Sequence, residues 1–139
     1  MNWNKFVSVG ILLLVPAFLF AQSEEIIRSK NIVSQTVYEY FIEEGLKDPV
    51  VERIERYDTD GNMIEEKEMN KEGDVREWMK YSYDDAGNKL EEITVNIRGG
   101  QEERIEWIYE DGLVVEKKYY DHKDRLVKRK EYKYKTRSE

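Results

Sequence analysis

The chain has 139 residues, with 23 basic and 30 acidic side chains, a net charge of −7 and no cysteine. This length predicts a single domain, and the acidic balance argues against general nucleic-acid binding, which requires a basic surface. The lack of cysteine excludes disulfides, thiol catalysis and every cysteine-containing metal site.

The N-terminal segment 1–21 has the layout of a secretory signal peptide. A short polar start that contains Lys5 precedes an uncharged apolar stretch over 6–20, and Ala21 follows it. A retained membrane anchor is the disfavoured alternative, because the stretch is shorter than the roughly 20 residues that a spanning helix needs and Pro16 interrupts it. We therefore predict cleavage after Ala21 and a periplasmic or secreted protein with no integral membrane segment. No cysteine follows the cut, so a lipoprotein is not expected.

Charge is distributed unevenly along the predicted mature chain. Residues 22–116 hold twelve basic and twenty-six acidic side chains, whereas residues 117–139 hold ten basic and four acidic ones. The basic end could bind an anionic partner such as lipid headgroups or acidic glycans. Alternatively, it is a lysine-rich edge strand whose charge discourages sheet-to-sheet aggregation, and we favour this second interpretation.

After the signal peptide, the sequence predicts an N-terminal segment over 22–35 and a β-domain over 36–135. Within the first segment, residues 24–33 carry an apolar stripe that suits a short helix. Beyond it, turns rich in Gly, Asp and Asn separate short alternating segments rich in Val, Ile, Tyr and Trp. The strand at 62–70 is the least supported, since its glutamates put charge on both faces. The eight predicted strands lie near 33–41, 50–58, 62–70, 75–83, 88–97, 101–110, 113–120 and 125–134.

Short strands joined by regular turns predict an all-β fold, an antiparallel meander of about eight strands built from tandem hairpins. Such a sheet has one apolar face that must be covered. The sheet can curl on itself, residues 24–33 can fold over it, or another chain can pair with it. We expect a twisted or curled open sheet, that is, a half-barrel.

An internal repeat organises these hairpins. A Tyr-Asp or Tyr-Glu pair recurs at a constant interval, at 57–58, 83–84 and 109–110, and Tyr134 follows at nearly the same spacing. One repeat is therefore two strands and two turns. In each turn Asp can accept backbone N–H groups and Gly supplies a positive φ, so the repeated residues are those that a turn requires.

A resemblance to the YD repeat of bacterial Rhs-type proteins, toxin-complex shells and teneurins is clearest in Tyr81-Ser82-Tyr83-Asp84-Asp85-Ala86-Gly87-Asn88-Lys89-Leu90. Residues 57–64 match well, 109–113 have Glu in place of Asp, and 119–127 have Asp124 where Gly is usual. The resemblance covers about residues 36–135 and implies the sheet geometry. Large relatives wind such repeats into a hollow shell, but three or four repeats are too few to enclose a cargo. Carbohydrate binding is also associated with the family.

The polar residues that could carry chemistry are better explained as turn residues. His122 lies in a predicted turn, and the chain has no second histidine for a zinc site. Residues 58, 60 and 62 resemble the start of a calcium loop, but Gly61 stands at its fourth position instead of its sixth, and Met69 at its twelfth. We expect no catalytic residue, cofactor or metal site, and we predict that the protein is not an enzyme.

Several glutamates could in principle supply the carboxylate pair of a glycosidase. They are interleaved with Lys67, Lys89 and Arg104, as expected for cross-strand ion pairs on a solvated face. An enzyme with an unrecognised carboxylate site is therefore the least favoured function. The glutamates in question are Glu65, Glu66, Glu68, Glu91, Glu92, Glu102 and Glu103.

The strongest candidate for a binding surface is aromatic, since an aromatic sheet face can stack sugars or dock a partner. The alternative is that these rings form the core of the sheet. The sequence thus favours an exported interaction module that binds an envelope or secreted protein, with a carbohydrate-binding envelope protein second and homo-oligomers through edge strands possible. The candidate residues are Trp78, Tyr81, Tyr83, Trp107, Tyr109, Tyr119, Tyr132 and Tyr134.

Overall fold

The structure, a computed structural model, describes residues 18–42 and 48–137. One helix, α1 (Phe18–Ser29), precedes eight strands that form a single antiparallel sheet in the order β1 to β8. The sheet is open, because β1 and β8 pair on one side only. The strands are β1 (Ser34–Glu39), β2 (Val50–Tyr57), β3 (Met63–Met69), β4 (Val75–Tyr83), β5 (Lys89–Val95), β6 (Gln101–Glu110), β7 (Leu113–Tyr120) and β8 (Leu126–Glu131).

The all-β meander of eight strands is confirmed, including the weakly supported β3. Strand ends differ from the prediction by up to three residues, the most at β8, which ends at Glu131. Helix α1 spans Phe18–Ser29 instead of 24–33, so it runs through the predicted cleavage point. Positions 1–17 of the predicted signal peptide, together with positions 43–47, lie outside the described residues. Across the two described ranges, no helix combines the length and the apolar character needed to cross a bilayer.

Five of the hairpin turns share one hydrogen-bond pattern. In the turn 84–88, the backbone N–H groups of Ala86 and Asn88 donate to Oδ1 of Asp84 over 2.9 and 2.8 Å. Gly87 takes a φ of 82° in that turn. The same bonds recur around an Asp or Asn at 58, 70, 96 and 121. This confirms the predicted turn chemistry, with Asp124 at a φ of 58° in the position of the glycine.

The repeated tyrosines bridge neighbouring strands. The Tyr83 hydroxyl donates to the carbonyl of Met63 over 3.0 Å, and that of Tyr109 donates to the carbonyl of Lys89 over 2.9 Å. Tyr134 makes the equivalent bond to Val114 over 2.6 Å. In all three cases the residue that supplies the carbonyl precedes the tyrosine by 20 positions. It lies in a hairpin at the point where the pairing of the two strands shifts register. The tyrosine of each repeat therefore satisfies a backbone carbonyl at a bulge.

The sheet has two distinct faces, which the register defines. We call face A the face that carries Tyr81, because directly opposed residues share a face. Along one row, Tyr81 opposes Glu92, Glu92 opposes Ile105, Ile105 opposes Tyr119, and Tyr119 opposes Lys128. Face B carries the alternate residues of each strand, such as Lys80 and Arg104.

Little of the described chain is deeply buried. No described side chain is less than 2% exposed, and four apolar side chains count as buried: Ile27, Met79, Val95 and Tyr119. The substantial contacts between elements all join consecutive strands. The sheet is thus a single layer, in which stability depends on the strand ladders and on cross-strand side-chain pairs.

Helix α1 lies against one turn of the sheet. The Gly61 Cα faces it so closely that an added Cβ would lie 2.6 Å from the carbonyl oxygen of Glu24 and 3.2 Å from the Arg28 Cβ. The chain then joins the sheet through the Tyr57 N–H, which donates to the Val33 carbonyl over 3.1 Å. The N-terminal segment therefore contacts the 58–62 turn at one end of the strands.

Candidate functional site

The eight predicted aromatic residues do not form one surface. Trp78 lies on face B, where it opposes Lys67 of β3. Tyr81, Tyr83, Trp107, Tyr109 and Tyr119 alternate onto face A. The remaining two follow β8 and stay beside β7, since the Tyr132 N–H donates to the Val115 carbonyl and the Tyr134 hydroxyl donates to Val114.

Lysine ammonium groups lie over the aromatic rings of face A. Lys117 Nζ is 4.5 Å from the ring centre of Trp107 and 5.3 Å from that of Tyr119. Lys128 Nζ is 3.7 Å from the Tyr119 ring centre, and Lys130 Nζ is 5.7 Å from it. Such cation–π contacts hold an ammonium group above a ring. Tyr119 is only 8% exposed, so the lysines, not the central ring, form the accessible surface here.

The lysines also set the ionisation of Tyr119. Burial alone would raise the pKa of this phenol, but hydrogen bonding to Lys130 and Lys117 and their positive charges lower it below its usual range. Lys117 and Lys130 oppose each other directly across β7 and β8. Among the described residues, neither of them nor Lys128 forms an ion pair with a carboxylate. We call Lys117, Lys128 and Lys130 the lysine cluster.

A second cluster on face A is acidic. Glu55 opposes Glu66, and Glu68 opposes Glu77, so two like-charged pairs lie in adjacent rows of β2 to β4. Arg53 is the cation that lies among these glutamates. Its Nε is 3.0 Å from Glu55, but the N–H group is not aligned for a hydrogen bond, and its Nη1 is 3.8 Å from Glu66. We call these four glutamates the acidic cluster.

Two tyrosines contact the acidic cluster. The Tyr57 hydroxyl donates to Glu55, which is 8% exposed, and the Tyr81 hydroxyl donates to Glu66 over 3.5 Å. Burial raises the pKa of Glu66, and the charge of Glu55 adds to this, although Arg53 lowers it. Burial raises the pKa of both tyrosines as well, and nearby glutamates add to the effect.

Neutralising Glu66 is expected to stabilise the protein. Because its folded pKa is raised, the native state binds more protons than the unfolded state above the ordinary glutamate pKa of 4.5, and the free energy of unfolding falls as pH rises through that interval. We expect Glu66→Gln to raise the free energy of unfolding by about 0.2–1 kcal/mol at pH 7, the range for a cross-strand charge pair. In urea unfolding, this gain should shrink as pH falls from 7 towards 4.5.

The neighbouring Glu65 provides the matched control on face B. It accepts a 2.7 Å hydrogen bond from Trp78 Nε1 and lies 3.4 Å from Arg56 and 3.9 Å from Lys67. Glu65→Gln is therefore expected to destabilise the protein at pH 7. Equal effects of the two substitutions would contradict a specific role for the acidic cluster.

The residues considered for metal binding serve the turns. Both carboxylate oxygens of Asp58 accept turn hydrogen bonds, Oδ1 from the Asp60 and Asn62 N–H groups and Oδ2 from the Asn62 side chain. His122 is exposed in the turn around Asp121. Over the described part of the chain, no group of three or more His, Asp or Glu side chains is arranged to hold a metal ion.

The other glutamates singled out from the sequence are largely ion-paired. On face B, Glu91 Oε1 lies 3.1 Å from Arg104, which also contacts Asp124 over 2.7 Å. On face A, Lys89 lies 3.1 Å from Glu92. The Glu91–Arg104 pair joins β5 and β6, as predicted, whereas Lys89 and Glu92 both belong to β5. Glu102 and Glu103 are exposed.

Sequence reasoning missed the two charged clusters of face A. A signal for the acidic cluster exists, since Arg53, Glu55 and Tyr57 alternate along β2 and must share a face. Comparisons with known proteins add nothing to the geometry: no protein-family model matches the chain, and no curated protein matches it. The resemblance to the YD repeat stays a prediction.

Proposed function

We propose that the chain is an exported, non-enzymatic interaction module that binds a partner protein by strand addition at the free edge of β8. The observation that carries this proposal is the state of that edge. All six residues of β8 are exposed, and the strand pairs with β7 on one side only. An unpaired edge offers a row of N–H and C=O groups to an extended segment of another chain.

The charge of β8 indicates what kind of segment fits. Lys128 and Lys130 project on face A and Arg129 on face B, against the single acid Glu131. A second copy of β8 would bring like charges together, whereas an acidic extended segment would pair with them. We therefore favour a partner with acidic residues along an exposed strand. The cleaved signal peptide predicted over 1–21 implies a partner in the envelope or outside the cell.

Glycan binding is less well supported as a function of the aromatic face. Sugars stack on open aromatic rings. Here lysine ammonium groups lie over Tyr119 and Trp107, and Lys89 Nζ lies 4.5 Å from the ring centre of Tyr81.

Backbone geometry provides a direct test of strand addition. N–H groups point to alternate sides along a strand. Because the Tyr132 N–H points to Val115 of β7, the Arg129 N–H points to the free edge. Arg129→Pro removes this donor without removing a bond to β7. We expect Arg129→Pro to weaken binding of a ten-residue alternating Glu-Thr peptide at least about 10-fold more than Arg129→Ala does. A change in affinity of about 10-fold corresponds to roughly one net hydrogen bond.

The measurement is fluorescence polarisation of the labelled peptide, with an alternating Lys-Thr peptide as the charge control. Affinity capture from envelope extracts with the wild type and with Arg129→Pro then identifies the natural partner. Equal binding of both peptides, or equal effects of the proline and alanine substitutions, would show that the charged edge only prevents aggregation.

A further inference from the structure

Face A is electrostatically divided. Its half formed by β2 to β4 carries four glutamates and one arginine, whereas its part formed by β7 and β8 carries the three lysines of the lysine cluster and no carboxylate. Both parts contain like charges directly opposite each other, Glu68 with Glu77 and Lys117 with Lys130. Such pairs destabilise an isolated sheet.

Face B lacks this separation. There the like-charged neighbours Lys118 and Arg129 each contact Glu116, over 3.6 and 3.2 Å. Arg104 likewise lies between Glu91 and Asp124. Positive and negative groups therefore alternate on face B and compensate one another within the sheet. On face A, apart from the Lys89–Glu92 pair and Glu103 on the middle strands β5 and β6, they are gathered at opposite ends.

A surface with one acidic and one basic end is complementary to a second copy of itself. Two copies can stack through face A about a two-fold axis that lies in the plane of contact. When this axis runs midway between two points of the face, each point of one copy lies against the other point of the second copy. The axis midway between the two clusters passes near β5 and β6, where Thr94 and Ile105 lie on face A. Rotation about it sets each acidic cluster against the lysine cluster of the other copy, which is the self-complementarity that a two-fold interface requires.

The size of face A suits such an interface. Seven strands at about 4.8 Å spacing and about 20 Å in length give a footprint on the order of 600–700 Å² per partner, close to the roughly 800 Å² of standard protein interfaces. Stacking would also cover the partly exposed rings of Tyr81 and Trp107. A single-layer sheet gains its missing second layer in this way.

We propose that face A is the interface of a two-fold symmetric dimer, in which the acidic cluster of one copy lies against the lysine cluster of the other. This interface is separate from the free edge of β8, so it does not rest on strand addition. Because the attraction is between charges at the surface, the dimer weakens as salt is added.

The test is sedimentation equilibrium of the full chain and a matched set of charge reversals. Lys117→Glu/Lys130→Glu reverses an opposed pair on face A, and Lys118→Glu/Arg129→Glu reverses the neighbouring opposed pair on face B. We expect the wild type to dimerise at micromolar concentration, the face A variant to dissociate at least about 100-fold more readily, and the face B variant to behave like the wild type.

A charge swap gives the decisive result. Glu68→Lys/Glu77→Lys should also be monomeric, and mixing it with Lys117→Glu/Lys130→Glu should restore a one-to-one heterodimer, since both clusters of one copy then carry a net positive charge and both clusters of the other a net negative charge. If a reversal variant loses its β-sheet circular dichroism, Lys117→Gln/Lys130→Gln and a salt series on the wild type replace it.

A wild type that is monomeric at about 100 µM in low salt, equal dissociation by the face A and face B variants, or a mixture that stays monomeric would overturn the proposal. Arg129→Pro should leave the dimer intact, which separates this result from failure of strand addition.

Discussion

Gly61→Ala is expected to lower the free energy of unfolding by about 2–5 kcal/mol, whereas Gly87→Ala should lower it by only about 1–2 kcal/mol. Both glycines hold a positive φ, 89° and 82°, at the same position of equivalent turns. An L-residue pays about 1–2 kcal/mol for this conformation. The difference lies in the surroundings: a Cβ at position 87 meets no atom within 4 Å, whereas at position 61 it would lie 2.6 Å from the Glu24 carbonyl oxygen.

The excess cost at Gly61 reports the contact with α1. A Cβ atom and a carbonyl oxygen cannot lie only 2.6 Å apart, so the helix must shift. Overpacking of this kind costs about 1–3 kcal/mol. The measurement is urea unfolding, combined with hydrogen exchange of the N–H groups near Ile27, which is buried in the wild type. Faster exchange there in Gly61→Ala, but not in Gly87→Ala, is the expected pattern. Identical unfolding of the two variants would mean that α1 does not rest on this turn in solution.

Tyr83→Phe is expected to lower the free energy of unfolding by about 1–3 kcal/mol, because it leaves the Met63 carbonyl at the β2–β3 bulge without its donor. The equivalent Tyr134→Phe should cost much less. Tyr134 is 52% exposed, beyond the end of β8, and water can replace its hydroxyl at the Val114 carbonyl.

Alkaline unfolding gives a second readout for Tyr83. Burial, together with the charges of Glu24 and Asp58, raises the pKa of Tyr83 to about 12. A folded pKa above the unfolded value of 10.0 means that the protein loses stability as pH rises from about 10 to about 12. Tyr83→Phe should lose less stability over this interval than the wild type, as followed by urea unfolding at fixed pH values. An unchanged slope, or equal costs for Tyr83→Phe and Tyr134→Phe at pH 7, would rule out this role for the repeated tyrosine.

Local chemistry explains why so much of this fold could be predicted. In a turn such as 84–88, the acceptor Asp84, the positive-φ Gly87 and the donor Asn88 are close neighbours in sequence. Between the turns, alternation along each strand predicts its two faces. The strands and most turns follow from such short-range patterns, and they agree with the structure even at β3, where the glutamates of both faces obscured the pattern.

The candidate site could be predicted only in part, because its composition depends on register. Trp78 breaks the alternation of β4 in sequence, yet it has partners on face B: Glu65 accepts its Nε1–H, and Lys67 Nζ lies 3.9 Å from its ring centre. These partners belong to another strand. Their approach depends on the β3–β4 pairing, in which the register shifts between Glu68 and Met69.

The sequence by itself determined the class of fold, the approximate position of each strand and the chemistry of most turns, since these depend on residues only a few positions apart. The tertiary structure decided which residues of different strands meet. It placed the acidic and lysine clusters at opposite ends of face A and brought Gly61 against α1. Such meetings depend on the bulges that shift each pairing and on the open edges of the sheet, both of which are properties of the assembled strands rather than of any one of them.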